Sequence, residues 1–217
     1  MPKIDLHTHS SASPDGGITA KQYKKILDSG KLDYIAVTDH NRVDFAIQLK
    51  NELGDKIIVG EEVMTKDGEL IGLFLTKLVK PNMTAAQTTK AIHDQGGLVY
   101  LPHPFETSRK GLQKATLDTI ASEIDIVEAY NGRAIIQNRT SLALAWAREN
   151  GKPIFASSDA HGKPGIGHTY TTSTKIFNSS NFSAVLAEAH IVAARPPVLS
   201  LAYPKYHRFR QKLRREK

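Results

Sequence analysis

Apolar positions along this chain fall into two alternating spacings, and each change of spacing marks a change of element. Residues 4–9, IDLHTH, and the later run DYIAVTDH have the content of buried strands. Between them Thr19 is placed to cap a helix whose Tyr23, Ile26 and Leu27 recur at helical intervals until Gly30 stops it. Helical spacing returns over 42–53, followed by the strand KIIVGEEV, the turn KDGE and a further strand, LIGLFL. Thr84 then begins a helix running to about Gln95, and LVYLP follows as a strand. A strand over 124–130, a long helix over 134–149, a strand in PIFASSDAH and a helix from about 182 to 189 complete the series. Alternation of this kind predicts a parallel sheet with helices outside it, open or closed into a barrel, with functional residues at the carboxyl ends of the strands.

Composition narrows the picture. A length of 217 residues suits one sizeable core, and 40% hydrophobic with 24% charged residues is ordinary for a globular chain. No apolar run approaches the roughly 20 residues needed to cross a bilayer, and nothing resembles a secretory leader, so a soluble, cytoplasmic protein is expected. The absence of cysteine excludes disulfides and thiolate metal sites. Any metal must therefore be held by imidazole and carboxylate, which suits manganese, iron, zinc or magnesium. The net charge of +7 is concentrated in YPKYHRFRQKLRREK, residues 203–217, where seven Lys and Arg face one Glu, a local +6 that leaves +1 for residues 1–202. One domain over 1–202 and a basic tail over 203–217 are expected. The tail could attract nucleic acid, although such a run is more often a solvated helix end.

The polar residues are not scattered over this scaffold. His7 and His9, then His40, then Glu61 and Glu62, close the first three strands; His103, Glu128, and Asp159 with His161 close later ones. Five of the nine histidines thus lie at strand ends with acids beside them. A single strand-end histidine is usually a hydrogen-bonded residue, but imidazole and carboxylate at this density match hydrolytic metal sites. Side chains alternate along a strand, so His7 and His9 can face one ion and only one of Glu61 and Glu62 can point the same way. His93, His168, His190 and His207 fall outside the pattern.

DLHTHSSASPDG, IAVTDHN, GEEV, PHPF, IVEAYNGR and SSDAHG together resemble, in order and approximate spacing, the motifs of the polymerase and histidinol phosphatase (PHP) superfamily over about residues 1–172. The resemblance implies an α/β fold, a distorted (β/α)7 TIM-like barrel with two or three divalent metals at its C-terminal rim, and hydrolysis of phosphate esters. It places His7, His9, Glu62 and Asp159 around one metal, with Glu62 bridging to a second held by His103 and Glu128, and Asp15, His40 and His161 around a third. Glu128 and Asp15 stand where some members have histidine, which makes the sites harder and more negative.

Metal-activated water then serves as nucleophile, with Asp159 in the catalytic set and His40 or His161 available instead as general acid if the third site is empty. Arg109, six residues past His103, and Arg133 in YNGR are candidate substrate-binding residues, because a guanidinium matches two phosphate oxygens. Asn41 and Asn131 are placed to orient ligands. The expected activity is a phosphomonoesterase acting on a small phosphorylated metabolite or nucleotide. The alternatives are a nuclease or nucleotide phosphodiesterase using the basic tail, a noncatalytic metal-binding module, and, on chemistry alone, a metal-dependent amidohydrolase.

Overall fold

The structure is a computed structural model and describes residues 1–135, 137–174, 185 and 189–215. Among the described residues nine strands form a single sheet: β1 (Lys3–Asp5), β2 (Tyr34–Val37), β3 (Ile57–Met64), β4 (Glu69–Leu73), β5 (Leu98–Leu101), β6 (Ile126–Asn131), β7 (Ile154–Ser157), β8 (Thr169–Thr172) and β9 (His190–Ala193). Their spatial order is β7-β6-β5-β4-β3-β2-β1-β8-β9. The sheet curls until β7 meets β8, where the Ala156 amide donates to Thr171 Oγ1 at 2.9 Å, and Thr8 beyond β1 bridges Ala160 beyond β7. A nearly closed, barrel-like α/β fold results.

The helices described in full are α1 (Ala20–Asp28), α2 (Asp44–Leu53), α3 (Ala85–His93), α4 (Lys114–Thr119), α5 (Thr140–Glu149) and α6 (Tyr203–Arg215). Thr19 and Thr84 cap α1 and α3 through reciprocal bonds with Gln22 and Gln87, satisfying amides that the first turn leaves unpaired. One core lies between sheet and helices and includes Ile35, Val37, Val59, Val99 and Trp146. A second, with Ile4, Ala36, Ile58, Ile71, Tyr100 and Phe155, belongs to the opposite face of the strands. This is the two-sided burial of a barrel-like sheet, with helices on its outer face and the strands' own side chains filling the inner one.

Several elements differ from the sequence reading. The sheet is mixed: β4 runs antiparallel to both β3 and β5, because a short turn joins it to β3 where a crossover helix would be needed for a parallel strand. The strand at the N-terminus stops at Asp5, whose Oδ1 takes the amides of His7 and Ser158, so both histidines sit on an extended segment beyond it. The helix expected over 134–149 begins only at Thr140, whose amide bonds Asn138 Oδ1. Strands β8 and β9 have no counterpart in the pattern reading. The helix expected over 182–189 lies, apart from Val185 and Ala189, outside the described residues. No helix among the described residues is long and apolar enough to cross a membrane.

Candidate metal centre

At the rim where β1, β2, β3, β5, β6 and β7 end, the backbone turns sharply. Asn41, His103 and Asp159 hold left-handed φ angles of 53°, 28° and 50°. Asn, His and Asp tolerate that region better than most residues, and such turns re-aim a side chain directly after a strand. Asn41 also ties two strand ends together: its amide donates to Glu62 O and its Oδ1 accepts the Met64 amide.

His7, His9 and Asp159 offer one donor atom each to a common point, and Glu62 Oε2 approaches the same two imidazoles. His7 Nε2 lies 3.2 Å from His9 Nε2, 3.4 Å from Glu62 Oε2 and 3.6 Å from Asp159 Oδ1, and His9 Nε2 lies 3.3 and 3.4 Å from the same two oxygens. Donors about 2.1 Å from a shared ion stand about 3.4 Å apart at tetrahedral angles, close to these five separations. The four residues are at most 1% exposed, and two imidazole nitrogens facing each other at this distance inside a protein need a shared cation or proton. The donor set fits a divalent metal.

Around this cage the structure gathers two further groups. His9, Asp15, His40 and His161 offer one donor atom each within a common radius; Asp15 Oδ2 lies 3.5 Å from His40 Nε2 and 3.4 Å from His161 Nε2. His7, Glu62 and His103 form another group, with His103 Nε2 at 3.1 Å from Glu62 Oε1, so the two oxygens of Glu62 face two different groups. Burial, with the charges of His9 and Arg133, pushes His161 down to about 3, which keeps its ring neutral and able to donate a lone pair. Burial works against ionisation of Glu62 and Asp159, yet histidines around both, and Arg133 beside Asp159, hold the two carboxyls well below their usual range. Glu61 points to the other layer, where its Oε2 accepts the Val79 amide.

Glu69 was invisible to the strand-end argument, yet it joins His40 and Glu62 at the rim, 3.7 Å from His40 Nδ1 and 3.9 Å from His103 Nε2. Because β4 is antiparallel, its first residue, and not its last, reaches the rim. Burial and the charge of Glu62 push the Glu69 carboxyl up to about 8.

Glu128 stands differently from the role the resemblance implies. It is in none of the ligand groups; its Oε1 accepts from His7 Nδ1 at 3.0 Å and from Tyr100, and its Oε2 accepts the His103 amide at 2.7 Å and Asn131 Nδ2 at 2.8 Å. All four lone-pair directions are taken. An ionised carboxylate on Nδ1 fixes the tautomer that turns the Nε2 lone pair of His7 toward the cage.

Arg109 is likewise committed. Its guanidinium grips Glu106 with two bonds and donates through Nη1 to Asn131 Oδ1 and, at 2.5 Å, to Asp159 Oδ2. This arrangement orients Asp159 and leaves little of the guanidinium for a substrate. Arg133 Nη1 lies 3.3 Å from both Asp159 Oδ2 and His161 Nδ1 and borders a cavity of about 320 Å³. Asp15, His40, Glu69, His103 and Arg208 line the same cavity.

Residues 137–190 match the family model described as PHP-associated. The chain is 30% identical over 149 residues to the uncharacterized protein MJ1587 of Methanocaldococcus jannaschii, covering 63% of this chain and 87% of that one. It is 31% identical over 180 residues to MJ0417 of the same organism, covering 77% and 69%. Its fold resembles that of a two-domain protein from Bacteroides vulgatus described as containing a predicted PHP-like metal-dependent phosphoesterase, with a TM-score of 0.72 and 16% identity. That match covers 89% of this chain and 65% of the two-domain protein. The barrel-like fold, the motif order that brings most strand ends to one rim, and the PHP-associated match over residues 137–190, which includes Asp159 and His161, agree with one another: this chain belongs to the PHP-domain family.

Proposed function

We propose that the protein is a metal-dependent phosphoesterase, a phosphomonoesterase acting on a small phosphorylated metabolite or nucleotide. The observation that carries this reading is the cage of His7, His9, Glu62 and Asp159 opening into a cavity bordered by Arg133. In this reading those four residues hold one ion, Glu62 with His103 and Glu69 a second, and Asp15, His40 and His161 a third. Divalent ions bound there supply Lewis acidity, making a water nucleophilic near neutral pH and offsetting the charge of the phosphate.

The remaining residues do the positioning. Glu128 fixes the tautomer of His7, and Arg109 with Asn131 fixes Asp159. Arg133 presents a guanidinium beside the cage, where it can pair with phosphate oxygens as they gain charge. Where only the first two positions are filled, His40, partly exposed at the cavity, is free of a ligand role and placed to pass a proton to the leaving oxygen.

Hydrolysis of a panel spanning AMP, other phosphomonoesters, cyclic nucleotides and short RNA, each with Mn, Mg and Zn, tests this. Metal-stimulated release of phosphate from monoesters, abolished in His9→Ala, is the expected outcome. Turnover confined to RNA or cyclic nucleotides would move the assignment to the phosphodiesterase alternative. Bound metal without turnover of any ester would leave a noncatalytic metal-binding module.

A further inference from the structure

The basic segment expected as a tail is the helix α6, and it is seated against the site. A Cβ on Gly17 would fall 2.1 Å from the His207 ring, and one on Gly162 would fall 2.3 Å from the Tyr203 ring. These two glycines follow Asp15 and His161, and Tyr203 and His207 are one helical turn apart on a single face of α6. Two glycine sockets thus hold the helix on the loops that carry Asp15 and His161.

The docking brings the next residue, Arg208, into the wall of the cavity, with Nη1 3.5 Å from Asp15 Oδ2. Arg109 is consumed by Glu106, Asn131 and Asp159, and Arg133 is held against Asp159 and His161. Arg208 is different. Its side chain is 60% exposed, it stands at the mouth, and its carboxylate partner is a residue assigned above to metal. A cation in that position faces the part of a substrate that projects away from the cage.

We propose that α6 is a wall of the active site and that Arg208 is a specificity-determining residue. It pairs with a second anionic group of the substrate, a carboxylate or another phosphate, so that phosphate esters carrying such a group are preferred over esters of neutral alcohols. This rests on the phosphoesterase reading and adds the substrate class to it.

The test compares three esters of one shape: phenyl phosphate, 4-carboxyphenyl phosphate and 1,4-phenylene bisphosphate, with metal-loaded full-length protein. Arg208→Gln should lower kcat/KM about tenfold for the two doubly anionic esters, the loss of one solvent-screened, charge-assisted pair, and less than about twofold for phenyl phosphate. Arg208→Lys should restore part of the loss. The ester with the larger loss identifies carboxylate or phosphate as the group recognised. Equal losses on all three, or none on the doubly anionic pair, would overturn the proposal while leaving the hydrolase intact.

Calorimetric binding of benzylphosphonate and 4-carboxybenzylphosphonate separates the two claims. If no ester turns over, the phosphoesterase reading fails. Arg208→Gln must then still weaken only the carboxylated phosphonate, again about tenfold, and unchanged affinity for it would overturn the role of Arg208 as well.

Discussion

Replacing Glu128 by Gln separates a residue that orients a ligand from one that is a ligand. The amide keeps the volume of the carboxylate but has one oxygen where the carboxylate has two. Turned with its oxygen toward His103 and Asn131, it presents N–H groups to His7 Nδ1. That favours the tautomer with the proton on Nε2, the atom 3.2 Å from His9 Nε2 at the cage. Turned the other way, it leaves the buried His103 amide and Asn131 Nδ2 without their acceptor. Either orientation forfeits at least one hydrogen bond that the buried carboxylate accepts, each worth about 1.5–3 kcal/mol. At 1.4 kcal/mol per tenfold this is roughly a 10–100-fold loss in metal affinity, the range seen for partners behind metal ligands. Competition with a chromogenic chelator measures the affinity, and elemental analysis at saturation measures how many ions remain. The expected result is weaker binding at unchanged stoichiometry, with kcat/KM falling in parallel. Loss of a whole equivalent of metal would make Glu128 a ligand after all, and a change below about threefold would refute the orienting role.

Three further outcomes follow from the same contacts. Arg109→Ala leaves Glu106 and Asp159, both buried, without their guanidinium, and should cost about 3–5 kcal/mol in urea denaturation together with a loss of metal affinity. An effect confined to KM would instead return Arg109 to substrate binding. Glu61, pushed up to about 7 by burial, holds its proton more tightly folded than unfolded, so it favours the folded state at low pH. That contribution should fade as pH rises from about 4.5 through 7, and Glu61→Gln should flatten the denaturation midpoint over this window; an unchanged slope would contradict it. Stripping metal with a chelator removes ligand-linked stability of about 2.7 kcal/mol for ions present at 100 times their Kd, which should lower Tm by roughly 5–10 °C in a chain of this length. An unchanged Tm would contradict a filled centre.

Much of the centre was legible because most strands in this fold end at one rim. The pattern of His7, His9, His40, Glu62, His103, Asp159 and His161 after apolar runs was enough to place them together. Glu69 was not legible, since its position follows from β4 running backwards, and strand direction depends on the length of the preceding turn and on tertiary pairing. Its one signal was period two, which puts Glu69 on the same face as Ile71 and Leu73. The side-chain partners of Glu128 and Arg109 were not legible, because a strand-end carboxylate or a loop arginine has the same sequence signature whether it meets an ion, a substrate or another side chain. The basic run of α6 had a helical charge pattern, while the sockets at Gly17 and Gly162 that seat it depend on loops far away in sequence.

The cage itself is the central claim, and anomalous diffraction from a crystal grown with Mn or Zn tests it most directly. The account predicts an anomalous peak at the point shared by His7 Nε2, His9 Nε2, Glu62 Oε2 and Asp159 Oδ1, lost in the His9→Ala variant. Metal bound only at other histidines, with no peak among those four atoms, would contradict it.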